Sequence, residues 1–378
     1  MAEGPSEMTA ASACLGQDAS VLTPPVKPML AKPAGTIPDN ADLIFEPKWD
    51  GYRCLVFRSG SDVVLQSRSS KPLNRYFPEM VARLTAGLPD NVVLDGELVV
   101  GKDGRLDFDA LSERIHPAAS RVNMLAETTP ATFVAFDVLQ VPSGPVLDLP
   151  GVERRELLVD LVSGTDAVSL TPATHDADVA RQWFTLFEGA GLDGVIGKPA
   201  QGPYTPDKRT MLKFKHSRTA DCVVAGLRWY KDTEPGTSVG SLLLGLYDHK
   251  GQLHSVGVVG SFPAERRREL AVELAELMAG GEQDHPWLGD IAEGTRIPGE
   301  INRWRSAQAS WVPLRRERVV EVTYEHTEGG YPSRFRHTAQ FLRWRPDREP
   351  DSCGYEQLEE PARYDLDAVL NGEVRTRS

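Results

Sequence analysis

Lysine is the residue type to follow first. Only 11 of the 42 basic residues are Lys, and none follows Lys250, so each one is informative. Lys48 lies in Glu46-Pro47-Lys48-Trp49-Asp50-Gly51-Tyr52-Arg53, which puts a lysine, two acids and an arginine within one short segment. A lysine that attacks phosphorus must be neutral, whereas the free amine titrates near ~10.4, so its site has to favour the amine through burial or nearby positive charge. Arg53, Lys213, Lys215 and a divalent metal are candidates for that field. On a bland reading, Asp50-Gly51 is a hairpin turn with a charged rim. Lys-x-Asp-Gly-x-Arg also arises by chance on the order of once in several hundred such chains, so other pieces must agree. They follow in order: Ser67-Arg68, Leu94-Asp95-Gly96-Glu97-Leu98, Phe133-Val134-Ala135-Phe136-Asp137, Leu192-Asp193-Gly194-Val195-Ile196 and Leu212-Lys213-Phe214-Lys215. Alternation in the last piece puts both ammoniums on one strand face, which suits phosphate; an edge-strand charge pair is the rival reading.

The elements that must position these residues are legible as runs and breaks. Strands are expected at Leu43–Glu46, Tyr52–Arg58, Val63–Ser67, Val92–Asp95 with Glu97–Val100, and Thr132–Leu139, between Gly/Pro/Asp turns. Helical spacing marks Phe77–Thr85, Val152–Val162 and Asp176–Gly189. Residues 1–22 read as a flexible leader, and Pro24, Pro25, Pro28 and Pro33 as an extended entry. After residue 218 the character changes to strands at Cys222–Trp229, Ser241–Tyr247, Leu253–Val259, Val319–Tyr324 and Phe335–Arg345. One helix is expected at Pro263–Met278, with Pro263 in its first turn. Five strands and one helix suit a small OB-type barrel.

The ordered series resembles the motifs of the covalent nucleotidyl transferases: ATP-dependent DNA ligases, RNA ligases and mRNA capping enzymes. Arg218–Gly226 and the closing segment Phe335–Arg348 are similar to the small bacterial ATP-dependent DNA ligases of the C type, and the resemblance spans roughly residues 25–353. It implies an α+β chain: an ATP-grasp-like nucleotidyltransferase (adenylation) domain of antiparallel sheets and helices at 23–218, a C-terminal OB-fold β-barrel at 219–350, and an acidic tail at 351–378. It implies that Lys48 forms a lysyl–AMP phosphoramidate and that Phe136 stacks on adenine. Glu46 joins the ATP pocket, Glu97 accepts from the ribose hydroxyls, and Arg53 and Arg68 grip ribose and phosphate. Lys213 and Lys215 neutralise phosphate, while Arg343, Arg345 and Asp347 orient the β,γ-phosphates for loss of pyrophosphate. Asp193 stands where most of the family has Glu; with Glu97 it is the expected holder of Mg²⁺ or Mn²⁺, one methylene shorter than usual. Arg348 stands where related enzymes often have Lys. The plain readings remain alongside: Phe136 as core, Glu97 as a hairpin-rim acid, Asp193-Gly194 as a turn.

Composition bounds the rest. The 378 residues suggest two or three domains, and 25% charged with 40% hydrophobic residues excludes wholesale disorder, collagen and coiled coil. No apolar run approaches about 18 residues and no secretory signal is visible, so a cytoplasmic monomer without membrane contact is expected. Cys14, Cys54, Cys222 and Cys353 are too scattered for a disulfide framework or for the four-cysteine zinc module of NAD-dependent ligases. No P-loop motif is present. The net charge of −12 argues against a polyanionic partner until it is divided by region. Residues 349–378 carry −5 of it, whereas 204–218 and 313–348 are basic stripes. The expected partner is nicked duplex DNA, with separate repair polymerases. The rival readings are a capping-type guanylyltransferase or RNA ligase, and a non-catalytic OB-type nucleic-acid binder.

Overall fold

The computed structural model describes residues 21–39, 42–299, 311–358 and 362–373. The chain divides into two compact units, Met1–Phe214 with Arg363–Ser378, and Lys215–Ala362. All but two residues of the expected leader lie outside the described residues.

The first unit is built from two sheets. One runs in the order Leu30–Ala34, Arg209–Phe214, Val195–Pro199, Leu43–Pro47, its first pair parallel and the others antiparallel. The other runs Ser169–Leu170, Thr132–Val141, Val92–Val99, Tyr52–Ser59, Asp62–Ser67. Tyr52–Ser59 is apolar on both sides at its centre because both faces are covered. Cys54 and Val56 pack with Met80 and Leu84 of the helix Pro78–Gly87 and with Leu158 and Val162 of the helix Gly151–Val162. Leu55 and Phe57 point the other way and pack with Met29 and Met211 at the first sheet. That sheet turns Phe45, Val195 and Phe214 outward to Trp183 of the helix Ala177–Leu186, which Asp176 caps by accepting from the amides of Asp178 and Val179. The period of two then dictates what the sheets turn toward each other: Glu46, Lys198 and Lys213 from one, Arg53, Asp95 and Glu97 from the other. Polar groups therefore line one end of an otherwise apolar space.

Several elements differ from the sequence expectation. Leu30–Ala34 is a strand despite Pro33, which its edge position tolerates. The helices Phe108–Glu113 and Ala119–Thr128 were not anticipated; Asp107 caps the first by accepting from the Ala110 amide at 2.8 Å. Val92–Val99 is one continuous strand through Asp95-Gly96, not two pieces about a turn. Gly96 is needed there because a Cβ would lie 2.4 Å from the Phe133 ring and 2.5 Å from the Val134 carbonyl.

The second unit is a curled sheet ordered Leu253–Val259, Val239–Tyr247, Arg218–Trp229, Val319–Tyr324, Gln340–Trp344. Its two edges meet in a single parallel bridge, Val259 with Ala339, where the Ala339 amide donates to the Val258 carbonyl at 2.9 Å. The result is a partly open barrel of OB type. Near that bridge the expected strand Phe335–Arg345 breaks into Arg334–Phe335 and Gln340–Trp344. The expected helix divides into Ala264–Glu273 and Ala275–Met278, and Pro263 is its N-cap.

The stretch expected as an acidic tail from residue 351 is shared between the units. Cys353, Tyr355 and Leu358 belong to the core of the second. The helix Leu366–Leu370 belongs to the first: the Leu366 amide donates to the Gly104 carbonyl at 2.9 Å, Tyr364 meets Phe187 at 5.4 Å, and Val369 is fully buried. Of the acids there, Asp365 is a helix cap, accepting from the Asp367 and Ala368 amides. Val369→Asp should therefore destabilise the first unit by roughly 2–4 kcal/mol in calorimetric melts. Val272→Asp, at a position 77% exposed, should change stability by no more than about 0.5 kcal/mol.

Candidate active site

Lys48 sits where the chain crosses from one sheet to the other, between Leu43–Pro47 and Tyr52–Ser59. Two backbone bonds fix it: its amide donates to the Gly194 carbonyl, and its carbonyl accepts from the Asp193 amide, each at 2.9 Å. Gly194, at φ +104°, makes that second turn possible. The Lys48 Nζ lies 2.5 Å from Asp193 Oδ2, with the lysine side chain 22% exposed and the aspartate 5%. The shorter acid thus still reaches the amine. Trp49 anchors the turn in the core and donates from Nε1 to Thr171 Oγ1 at 2.8 Å. Gly51 is required by close approach, since a Cβ would stand 2.1 Å from the Leu98 carbonyl oxygen. The bland hairpin reading of Asp50-Gly51 thus gives way to a strand entry that admits no side chain.

Arg53 does not extend into open space. Its Nε and Nη2 donate to the two oxygens of Asp95, both at 2.5 Å, and its guanidinium lies 4.5 Å from the centre of the Phe136 ring. Asp95 is fully buried and also accepts from the Tyr204 hydroxyl at 2.6 Å. Burial works against the guanidinium charge, but Asp95 more than offsets it and leaves the group's pKa above its ordinary value. Glu97 pairs across the sheet with Arg53 in the strand register. Burial raises the Glu97 carboxyl to about 7, against the opposing pull of Arg53 and Lys48.

Phe136 owes its aim to a β-bulge. Asp95 pairs with Asp137 and Gly96 with Ala135, so Phe136 is the extra residue and faces the same side as Asp137. Beside it is Lys198, which sequence reasoning missed. Its Nζ lies 2.9 Å from Glu46 Oε2, 3.8 Å from Asp137 Oδ2 and 4.8 Å from the Phe136 ring centre, and it donates to the Phe136 carbonyl. Asp137 in turn accepts from buried Arg154, at 2.8 Å from Nε and 3.2 Å from Nη2. Burial raises the Glu46 pKa, with Lys198 as the main counterweight. Arg154 was missed as well, while Asp95 and Asp137 stood inside the quoted motifs with no role assigned to them. The available signal was a charged residue at an inward position of an apolar strand for Asp95, Asp137 and Lys198, and on the buried face of a helix for Arg154.

The remaining expected residues are placed differently. Arg68 is exposed in the turn after Asp62–Ser67, with no hydrogen bond or ion pair among the described residues. Lys213 lies on the inter-sheet side of Arg209–Phe214, but that strand stops at Phe214. Lys215 belongs to the second unit, where its ammonium pairs with Glu325. The expected pair on one strand face is not formed. Arg343 is largely exposed and contacts Glu321 at 2.5 Å. Arg345 donates to both oxygens of Asp221, at 3.0 and 2.9 Å, and to Asp347 at 2.8 Å. Arg345 holds the Asp347 carboxyl at about 2. No group of three or more His, Cys, Asp or Glu side chains able to hold a metal occurs among the described residues. Asp193 and Glu97 therefore fit a hard cation only if substrate phosphates and water complete its oxygen shell, which is how Mg²⁺ commonly binds.

The ATP dependent DNA ligase domain family matches residues 28–215, and the ATP dependent DNA ligase C terminal region matches 235–348. DNA ligase C of Mycobacterium tuberculosis is 52% identical over 361 residues, covering 93% of this chain and 98% of its own length. DNA ligase C2 of Mycolicibacterium smegmatis is 52% identical over 347 residues, covering 90% and 96%. A structure solved in a study of Lig E DNA ligases aligns with a TM-score of 0.52 at 18% identity, covering 84% of this chain and 99% of that one, a likeness of fold. Fold and site together define a nucleotidyltransferase unit followed by an OB-type unit. Within that class the chain belongs to the ATP-dependent DNA ligases, in the bacterial ligase C group.

The raised Glu97 pKa has a consequence for stability. Between the unfolded value near 4.5 and about 7, the folded protein holds a proton that the unfolded chain has released, so this group's contribution falls as pH rises through that window. Glu97→Gln should melt a few degrees above the parent at pH 8, with the gap closing toward pH 5. It should also lose nucleotide binding. A gap independent of pH would contradict the assignment.

Proposed function

We propose that this ligase seals 5′-phosphate/3′-hydroxyl nicks in duplex DNA through an adenylate carried on Lys48. In the first step Lys48 leaves its ion pair with Asp193, gives up its ammonium proton to solvent and attacks the α-phosphorus of ATP through Nζ. A P–N bond forms, the α–β anhydride bond breaks, diphosphate leaves and the amine proton passes to solvent. A 5′-phosphate oxygen of the nick then displaces the lysine to form DNA–adenylate, and the 3′-hydroxyl displaces AMP to close the phosphodiester. The observation that carries this reading is the rigid placement of Lys48, with its backbone clamped on both sides and its amine on Asp193. Such chemistry consists mainly of positioning and charge stabilisation.

The other roles follow from the site. Phe136 offers a ring face, Glu46 a base-edge acceptor and Glu97 a ribose acceptor. Arg53 serves chiefly to fix Phe136 and Asp95, and its phosphate contact requires that pairing to loosen. Arg68 is free to meet the nick phosphate, and Lys213 and Lys215 supply positive charge. Asp193 and Glu97 would hold Mg²⁺ or Mn²⁺, which when bound neutralises phosphate charge. Arg343, Arg345 and Asp347 serve the first step only. No helix among the described residues is long and apolar enough to cross a membrane. We place the protein in the cytoplasm at the nucleoid, as a monomer that repairs nicks left by separate polymerases.

Incubation with α-labelled ATP should transfer label to the protein on a denaturing gel, and nicked DNA should discharge it as sealed product. Label from GTP and not ATP, or sealing of nicked RNA alone, would contradict the proposal. Arg343→Ala should slow adenylylation about tenfold or more while sealing by preformed enzyme–AMP stays near the parent rate. Equal loss in both steps would remove Arg343 from this role.

A further inference from the structure

Lys215 is held by an acid that no motif singled out. Residues 215–217 join the strands Arg209–Phe214 and Arg218–Trp229, and Lys215 opens the second unit. Alternation would put it beside Lys213, but the strand stops at Phe214, so the direction of its side chain is set by what it meets next. It meets Glu325. Arg218 pairs with Tyr324 in register, which brings Glu325, one residue past the end of that ladder, alongside the joining segment. The Glu325 carbonyl accepts from Arg218 Nη1 at 3.1 Å, and its carboxylate pairs with the Lys215 ammonium. Lys215 is the more sheltered partner, with 16% of its side chain exposed against 39% for Glu325. His337 Nε2 stands 3.9 Å from the same carboxylate oxygen. Glu328, nearby in sequence, instead faces Arg334 at 2.5 Å and Arg336 at 3.8 Å.

An ammonium is a compact charge on a flexible stem, so it can pass from one anion to another without moving the backbone. Substrate phosphate and Glu325 are then rivals for one cation. While a carboxylate neutralises Lys215, the ammonium contributes little to phosphate until that pair opens. The pair is partly exposed and therefore weak enough for a triphosphate of greater charge to displace. Opening it lowers apparent affinity for the nucleotide, because only the fraction of protein with Lys215 released binds at full strength.

We propose that Glu325 is a positioning residue that competes with the phosphates of ATP for the Lys215 ammonium, so that the Lys215–Glu325 pair must open before Lys215 serves the nucleotide. The proposal rests on the reading of Lys215 as a phosphate-neutralising residue.

The test follows enzyme–AMP formation by the full chain over a range of ATP concentrations, in a cycle of Glu325→Gln, Lys215→Met and the double variant. Glu325→Gln keeps the size of the side chain and removes its charge. The half-saturating ATP concentration should fall about threefold to tenfold, with the limiting rate near the parent value. Glu325→Ala, which has no amide to take up new bonds, should shift it in the same direction. Lys215→Met should raise half-saturation about tenfold, and in that background Glu325→Gln should change it by less than about twofold. A fall that persists in the Lys215→Met background reports general removal of negative charge and overturns the proposal. So does a Glu325→Gln value at or above the parent's while Lys215→Met alone weakens ATP use. Half-saturation unchanged by Lys215→Met in both backgrounds overturns instead the underlying reading of Lys215.

Discussion

The clamp between two turns governs this structure. The Lys48 turn and the Asp193 turn exchange a pair of 2.9 Å backbone bonds and close with an ion pair between their side chains. Through it, the strand Leu43–Pro47 of one sheet, the strand Tyr52–Ser59 of the other and the strand Val195–Pro199 are held at one point. The glycines at this point are present for geometry: Gly51 lets a carbonyl approach, and Gly194 turns the chain. A nucleophile on a free loop would have to be ordered at each turnover, whereas here folding has already done so.

Around the clamp, charges are buried in matched sets. Arg53 with Asp95, Arg154 with Asp137 and Lys198 with Glu46 each satisfy one another in a space that is otherwise apolar. Removing one member would leave the other charge uncompensated and cost several times what the pair contributes. Glu97 makes no ion pair among the described residues, and burial outweighs the pull of Arg53 and Lys48 and the Gly51 backbone bond, so its pKa moves to about 7. The second unit follows the same logic at its surface: Arg345 is held by Asp221 and Asp347, so any phosphate it meets must displace acids already in place.

Much of this was legible in the sequence. The order of motifs pointed to the two-unit architecture, and the long strands Leu253–Val259 and Val319–Tyr324 fall where alternation places them. What the sequence concealed has common causes. Phe136 and Asp137 share a face only because of a bulge, which depends on the neighbouring strand and not on the local pattern. Lys198 reads as a strand-end charge until its partner Glu46, far away in sequence, is known. Lys213 and Lys215 alternate correctly, but the strand ends between them at Phe214. The acidic stretch near the C-terminus reads as solvated because its charge outweighs three apolar residues, Leu366, Val369 and Leu370, that pack into the first unit.

The central claim is that one lysine among eleven carries the nucleotide. Lys198 and Lys213 also face the inter-sheet space, so the claim is exposed to a direct measurement. The protein should be charged with ATP, digested under conditions that preserve phosphoramidates, and the adenylated peptide sequenced by mass spectrometry. The account predicts AMP on Lys48 and on no other residue. AMP on Lys198 or Lys213, or distributed among several lysines, would contradict it.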